Sequence, residues 1–296
     1  MVRRILLSAI ILVSPIACAF AQVDEPGLVI DSSVVILNVS VKDSNGTPVT
    51  GLSKSLFSVL EDGIEQKIDY FSASETPFAA VILLDTSGSM EERVALARSA
   101  AVVFLDNLRP EDVAAIYRFD SKIEEIQPFS NSRDAAEAIF DLTSKGMTRL
   151  NDAIYEAAVE LSKRAEKRRA IIVLSDGQDT MSKRSADKAL KAALAADATI
   201  YTVDMSPIGD AFRAQNQAPL KFFAEKTGGT FIATPGGAAL RDAFRKIADD
   251  LGVQYTIVYS PTNAAKDGKW RSIEVKIRRP NLVIRTRKGY YAEKGK

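Results

Sequence analysis

The sequence predicts an α/β fold, in which a doubly wound, mostly parallel sheet is inserted into a small all-β sandwich formed by the two flanks of the chain. Two continuous apolar runs, 79–84 and 170–174, are typical of parallel strands that are covered on both faces. Strand-like and helix-like stretches alternate from residue 79 to about 253, as expected of a parallel sheet with helices on both sides. The flanks instead alternate in polarity with a period of two, which indicates antiparallel strands.

The N-terminal flank, 28–75, and the C-terminal flank, 254–292, are both predicted to form strands. The first contains strand patterns at 34–41, 57–60 and 67–71, with an Asn-Gly turn after the first of them. The second contains such patterns at 255–259, 270–277 and 282–287. Because each flank is short for a β domain of its own, we expect the two to pack together as one sandwich.

The region 78–252 between the flanks is predicted to be a separate α/β domain. Apolar spacing predicts strands at 79–84, 113–119, 123–129, 170–174, 199–203 and 230–233. The same criterion predicts helices at 93–108, 133–142, 150–165, 185–196, 219–226 and 238–251. Two consecutive strands, 113–119 and 123–129, are expected to form a hairpin at the sheet edge.

Residues 1–21 have the features of an export signal. Two arginines precede the apolar stretch from Ile5 to Val13, and Ala19-Phe20-Ala21 is a small-x-small cleavage site. Ser14-Pro15 interrupts the apolar stretch before it reaches the roughly 20 residues of a spanning helix, which favours a cleaved signal over a retained anchor. We therefore expect an exported protein, whether periplasmic, on the cell surface or secreted, with no stable membrane span after cleavage.

Composition and charge exclude several kinds of site. The chain has 296 residues, a net charge of +1 and no histidine, and its one cysteine is Cys18. The near-neutral charge gives no basis for nucleic-acid binding. Without histidine, neither a Ser-His-Asp triad nor a Cys-His pair is possible, and a zinc site of His and Cys is excluded as well. The remaining ligands are oxygen atoms, which suit Mg²⁺, Mn²⁺ and Ca²⁺.

Polar residues follow the two most apolar strands. Asp85-Thr86-Ser87-Gly88-Ser89 comes directly after strand 79–84, and strand 170–174 runs into Ser175-Asp176-Gly177. Ligands of doubly wound sheets bind at the carboxyl ends of strands, where the strand order reverses, so both aspartates are expected at one edge. Gly146-Met147-Thr148 lies in the loop before the next helix.

The oxygen donors expected to share one divalent cation are Asp85, Ser87, Ser89, Thr148 and Asp176. Two carboxylates balance the charge of the ion, whereas hydroxyls are weak donors, so the cation keeps an electrophilic open position. We expect Mg²⁺, with Mn²⁺ or Ca²⁺ as alternatives. A carboxylate from a protein ligand is expected to complete the coordination.

This pattern resembles the metal-ion-dependent adhesion site of von Willebrand factor A domains. The resemblance covers about residues 78–252 and includes all five motif positions, with Asp176 in the sequence Leu-Ser-Asp-Gly. It implies a doubly wound sheet, direct metal contacts from Ser87, Ser89 and Thr148, and contacts mostly through water from Asp85 and Asp176. The flanks, with Asp-Gly-Lys-Trp at 267–270 and Arg-Lys-Gly-Tyr-Tyr at 287–291, are similar to exported bacterial proteins that carry a related domain.

We therefore predict a binding module outside the cytoplasm, not an enzyme, which holds a protein ligand through the metal in adhesion or in assembly of an envelope complex. One alternative is a Mg²⁺-dependent hydrolase or phosphoryl-transfer enzyme that uses Asp85. Against it, the second acid expected two residues later is Ser87, and no phosphate-binding loop is present. Another alternative is a structural protein with a non-functional metal site.

Overall fold

The computed structural model describes residues 34–207, 209, 211–233 and 237–295. The predicted export signal at 1–21 lies outside these residues. Within the described ranges, none of the helices combines the length and the apolar character needed to cross a lipid bilayer.

The described chain alternates between strands and helices after an all-β beginning. The strands are β1 (Val35–Asp43), β2 (Phe57–Glu61), β3 (Ile64–Gln66), β4 (Ile68–Ser72), β5 (Phe78–Asp85), β6 (Val113–Phe119), β7 (Ile123–Ser130), β8 (Arg168–Ser175), β9 (Ala198–Asp204), β10 (Phe231–Ala233), β11 (Tyr255–Tyr259), β12 (Trp270–Ile277), β13 (Leu282–Arg285) and β14 (Gly289–Tyr291). The helices are α1 (Val94–Asp106), α2 (Leu150–Ser162), α3 (Ala186–Ala195), α4 (Arg213–Thr227) and α5 (Ala238–Gly252). Single 3-10 turns occur at Lys54–Leu56, Gly88–Met90 and Glu137–Ile139.

A six-stranded sheet with the order β10-β9-β8-β5-β6-β7 forms the centre of the α/β region. Its strands are parallel except β7, which pairs with β6 in the antiparallel direction. From β5 the chain continues to β6 and β7 on one side, whereas β9 and β10 follow β8 on the other. The strand order therefore reverses between β5 and β8, and the crevice at their carboxyl ends is the expected position of a ligand site.

Alternate side chains of β5 pack against helices on opposite faces of the sheet. Ile82 belongs to a buried cluster that includes Phe104 of α1 and Phe244 of α5. Its neighbour Leu83 belongs to a second cluster, which contains residues of α2, α3 and α4. Burial of each such aliphatic side chain contributes roughly 1.5–3 kcal/mol, which explains why a strand that is apolar up to its last residue lies here.

The flanks form two antiparallel sheets with the orders β13-β1-β11-β4 and β14-β12-β2-β3. Each sheet combines strands from before and after the α/β region, and β1 pairs directly with β11. Side chains from both sheets share one buried core, which includes Leu37, Val59, Ile257 and Val275. The chain thus has the predicted fold class, a doubly wound sheet together with an all-β sandwich drawn from both flanks.

The side chain of Arg168, the first residue of β8, contacts both of the segments that connect the sandwich to the α/β region. This side chain is fully buried. One terminal nitrogen donates to the carbonyls of Leu251, at 3.3 Å, and Gly252, at 3.0 Å, at the end of α5. The other donates to the carbonyls of Ser74, at 2.9 Å, and Gln254. Burial lowers the pKa of Arg168 to about 10, and the positive charge of Arg109 lowers it further.

The predicted helix at 133–142 is wrong, because the structure has only the single turn Glu137–Ile139 there. The amide of Ala136, which a helix would use for its own ladder, donates instead to the side chain of Gln127 at 2.8 Å. The guanidinium of Arg133 donates to the carbonyl of Leu108 at 2.9 Å. These contacts hold the segment against α1 and β7 in a non-helical path.

Helix α4 begins at Arg213, whereas the sequence predicts a helix starting at Pro219. A proline inside a helix removes one backbone hydrogen bond, so the sequence pattern favours its placement in the first turn. The extra turns are stabilised by Asp204, whose Oδ2 accepts from Arg213 at 2.8 Å and from Gln217 at 2.7 Å. Because Asp204 ends β9, this stabilisation comes from a contact that sequence spacing does not reveal.

Candidate metal centre

Asp85 ends β5 and is fully buried at the crevice. Its Oδ1 accepts a hydrogen bond from the amide of Ser87 at 2.9 Å. Its Oδ2 accepts one from the hydroxyl of Ser175 at 2.5 Å. Since Ser175 ends β8, this second hydrogen bond joins the carboxyl ends of the two strands and fixes the orientation of the carboxylate.

Asp176 follows β8 directly and is 2% exposed. Its Oδ1 accepts from the amide of Gln178 at 3.0 Å. Burial raises the pKa of Asp85 to about 7, hydrogen bonds from Ser175 and Ser87 oppose this increase, and the negative charge of Asp176 adds to it. No lysine or arginine of the described ranges forms an ion pair with either carboxylate. The crevice therefore holds two neighbouring acids without a cationic side chain between them.

Ser87 and Ser89 lie at the 3-10 turn that follows β5. Their hydroxyl oxygens are 3.2 Å apart, with Ser87 buried and Ser89 exposed. The carbonyl of Ser87 accepts a hydrogen bond from the hydroxyl of Ser144. The amide of the intervening glycine donates to the carbonyl of Gly146 at 3.1 Å. The loop after β5 is thereby joined to the loop that contains Thr148.

Thr148 is buried, and its backbone is held from both sides by the loop after β8. Its amide donates to the hydroxyl of Thr180 at 2.9 Å. Its carbonyl accepts from the amides of Thr180, at 3.0 Å, and Met181, at 2.9 Å. Among the described residues, no hydrogen-bond partner of the Thr148 hydroxyl is found, so its oxygen retains lone pairs for a ligand.

These contacts bring the loops carrying all five predicted ligands to the crevice between β5 and β8. The described residues contain no group of three or more His, Cys, Asp or Glu side chains able to hold a metal ion. The candidate centre has only two carboxylates, and its other predicted oxygen donors are the hydroxyls of Ser87, Ser89 and Thr148. Such a set fits Mg²⁺, which takes oxygen ligands and retains several waters.

The turn between β6 and β7 contacts both of the loops that carry hydroxyl ligands. Asp120 Oδ2 accepts a hydrogen bond from the hydroxyl of Thr86 at 3.3 Å. The hydroxyl of Ser121 accepts from the amide of Met147 at 3.0 Å. The sequence gives one signal for such contacts, which is the position of Asp120 and Ser121 directly after a strand that ends at the same edge.

Residues 80–178 match the family model of the von Willebrand factor type A domain. No curated protein matches the chain. A von Willebrand factor type A structure from Catenulispora acidiphila aligns with 15% identity and a TM-score of 0.51, covering 88% of this chain and 75% of its own. The vWF domain of the type V pili tip protein Mfa5 from Porphyromonas gingivalis aligns with 16% identity and a TM-score of 0.51, covering 62% of this chain and 98% of its own.

The PilB minor pilin from Streptococcus sanguinis is also similar, with 14% identity and a TM-score of 0.48 over 62% of this chain. The alignment covers 63% of that pilin, so the chain spans less than two thirds of its length. The family match and the alignments to the Catenulispora protein and Mfa5 agree with the doubly wound sheet described above. The α/β region of this chain therefore has the fold of a von Willebrand factor type A domain.

Proposed function

We propose that this protein is an extracytoplasmic binding module that uses a divalent cation, Mg²⁺ in the first instance, to bind a protein ligand. The residues that would hold the cation are Asp85, Ser87, Ser89, Thr148 and Asp176. The observation that carries the proposal is the pair of buried neighbouring carboxylates, Asp85 and Asp176, without an ion-pair partner in the described ranges. Two such charges balance one divalent cation, and the nearby hydroxyls complete an oxygen donor set.

The hydrogen bonds suggest different roles for the acids and the hydroxyls. Each oxygen of Asp85 already accepts a hydrogen bond, from the Ser87 amide and from the Ser175 hydroxyl, which favours a contribution through water. Ser87, Ser89 and Thr148 would supply direct ligands, as the family resemblance implies. A bound cation supplies a positive site that a carboxylate of the protein ligand completes. Mn²⁺ and Ca²⁺ are alternatives to Mg²⁺ because they also prefer oxygen ligands.

The setting that we propose is outside the cytoplasm, in adhesion or in assembly of an envelope complex. The positive start, apolar stretch and small-x-small site within residues 1–21 support export. Mfa5, which shares the fold, is a type V pili tip protein.

Calorimetric titration of Mg²⁺ and Mn²⁺ into the chelator-stripped protein tests the metal site directly. We expect saturable binding of one ion and its loss in Asp85→Ala. Asp141→Ala is the matched control, because it removes an exposed acid from the segment before the Thr148 loop. Binding that persists in Asp85→Ala and equals that of the control would show that the metal binds elsewhere.

Capture of partners from an envelope extract, with and without chelator, tests the second half of the proposal. We expect a protein that is retained by the wild type with Mg²⁺ and released by chelator, and that Asp85→Ala does not retain. Retention that is indifferent both to chelator and to Asp85→Ala would contradict metal-dependent binding and assign the contact to another surface.

A further inference from the structure

Helix α2 begins immediately after Thr148 and is capped by a different loop. Its N-cap residue, Arg149, makes no side-chain capping hydrogen bond. Instead, the amide of Asn151 donates to Asp179 Oδ2, and the amide of Asp152 donates to the hydroxyl of Ser182, both at 3.1 Å. The first amides of a helix lack partners within the helix, so the loop after β8 satisfies donors that α2 leaves open.

The side chain of Asp152, at the start of α2, in turn accepts hydrogen bonds from the loop after β8. This side chain is fully buried. Oδ1 accepts from the amide of Arg184, at 3.0 Å, and from its guanidinium, at 3.2 Å. Oδ2 accepts from the amide of Lys183, at 3.0 Å, and from Arg149, at 2.6 Å and 3.0 Å. One buried carboxylate thus joins the start of α2 to two consecutive residues of the loop after β8.

The loop after β8 begins with Asp176, and residues in its middle hydrogen-bond the backbone of Thr148, which lies in another loop. Thr180 and Met181 hydrogen-bond the Thr148 backbone on both sides, so the position of the Thr148 hydroxyl depends on where this loop lies. The loop in turn is fixed to α2 by Asp152, directly after these contacts. Asp152, which is itself not a candidate ligand, therefore adds to the contacts that join two candidate ligands from distant parts of the sequence, Thr148 and Asp176.

We propose that Asp152 is a positioning residue, which fixes the Thr148 hydroxyl relative to Asp176 and so sets the affinity for the cation. This inference rests on the proposed metal-binding function. Replacing one carboxylate oxygen by an amide nitrogen, as in Asp152→Asn, leaves the amide of Lys183 or that of Arg184 facing a donor, and the loop is then free to move away from Thr148. Hydrogen-bonding partners that orient metal ligands typically contribute about 10- to 100-fold to metal affinity.

The test compares Mn²⁺ affinity in Asp152→Asn with that in the wild-type protein, by calorimetric titration. We expect an affinity about 10- to 100-fold weaker in Asp152→Asn. Glu156→Gln is the matched control. It removes a negative charge that lies 3.6 Å from the guanidinium of Arg184, and the Glu156 side chain makes no hydrogen bond to the backbone of the loop. We expect the control to stay within about twofold of the wild type, because exposed ion pairs contribute little.

A double-mutant cycle with Thr148→Ala separates positioning from a general structural role. If Asp152 acts through the Thr148 hydroxyl, Asp152→Asn has less than about a threefold further effect once that hydroxyl is absent. A merely structural or electrostatic contribution would instead persist in full in the Thr148→Ala background. Thermal unfolding in the presence of chelator shows whether each variant is folded before its affinity is measured.

A second variant, Thr180→Val, keeps the test decisive if Asp152→Asn does not fold. It removes only the hydroxyl that accepts from the Thr148 amide, and we expect an affinity about three- to tenfold weaker. The positioning role alone would be overturned if Asp152→Asn bound Mn²⁺ with wild-type affinity, or if the two substitutions of the cycle had additive effects. If Asp152→Asn does not fold, wild-type affinity in Thr180→Val would overturn it instead. Absence of Mn²⁺ binding by the wild type would overturn this role together with the proposed function.

Discussion

Gly177, directly after Asp176, is the position where one added methyl group should disturb both the fold and the candidate metal centre. Its φ is +89°, and a Cβ there would lie 1.9 Å from the carbonyl oxygen of Asn216 in α4. The same Cβ would lie 3.2 Å from Leu220 Cγ. Helix α4 therefore crosses the loop after β8 at a distance that only glycine permits.

Two separate costs follow from Gly177→Ala. The left-handed backbone conformation costs an alanine about 1–2 kcal/mol. The overlap with α4 adds about 1–3 kcal/mol, which is typical of overpacked sites. Leu220 and Phe223 hold α4 in the core with no exposed surface, so the helix cannot easily withdraw. We therefore expect the loop to move instead and to carry Asp176 with it.

The assay is urea unfolding in chelator, with Gly63→Ala as the matched control. Gly63 has a φ of +81°, and no other atom lies within 4 Å of the point that an alanine methyl group would occupy, so this variant bears the backbone cost without the overlap. We expect the free energy of unfolding to fall by about 2–5 kcal/mol in Gly177→Ala and by about 1–2 kcal/mol in Gly63→Ala. Mn²⁺ affinity should fall only in Gly177→Ala. Equal losses of stability in the two variants would refute the close approach of α4.

Three further predictions concern polar side chains that hydrogen-bond backbone groups. Arg168→Met leaves four backbone carbonyls without their donor. We expect urea unfolding to give about 3–5 kcal/mol less stability, against under about 0.5 kcal/mol for the exposed Arg245→Met. Burial raises the pKa of Asp152, but hydrogen bonds from a lysine amide and two arginines outweigh it and lower the pKa overall. The stabilising contribution of Asp152 is therefore complete above its unfolded pKa of about 3.9, and it is lost as the pH falls through the lower pKa of the folded protein. The difference in unfolding free energy between the wild type and Asp152→Asn, measured in chelator, should therefore shrink below about pH 4. Ser121→Ala removes the acceptor of the Met147 amide and should weaken Mn²⁺ binding about two- to tenfold in calorimetry, with less than about 1.5 kcal/mol lost in urea unfolding.

Each of these expectations has a contrary result. Equal stability of Arg168→Met and Arg245→Met would mean that water replaces the guanidinium without cost. A stability difference for Asp152→Asn that grows on acidification would reverse the sign of the pKa argument. Unchanged Mn²⁺ affinity in Ser121→Ala would show that the turn between β6 and β7 does not support the Thr148 loop.

Much of the fold was predictable because its main signals are local. The apolar runs at 79–84 and 170–174 predict strands covered on both faces, and the structure places them as neighbours at the centre of the sheet. The errors occur where a distant side chain decides the local structure. Gln127 takes the amide of Ala136, and Asp204 stabilises the early turns of α4. Neither contact leaves a trace in the spacing of apolar residues.

The candidate metal centre, like the fold, could be predicted only in part from the sequence. Its five proposed ligands follow strand ends or precede a helix, and these positions alone predict that they share one edge of the sheet. The side chains that orient them are recognisable only in the structure. The hydroxyl of Ser175, at the end of β8, donates to Asp85 at the end of the neighbouring strand β5. Asp152 contacts a loop about thirty residues away in sequence. Binding of a metal ion by these residues stays a prediction until it is measured.

The contacts of Arg168 with the two ends of the α/β region also have a consequence for the folding pathway. The carbonyls of Ser74 and Gln254 accept from the same guanidinium nitrogen, so the two ends of the α/β region are adjacent. The sandwich depends on this, because its β1 must pair with β11 and Val35 faces Tyr259 in that ladder. In an unfolded chain, closing so long a loop is entropically costly and slow. Once the α/β region has folded, the same closure spans only a short distance, so the sandwich is expected to form last.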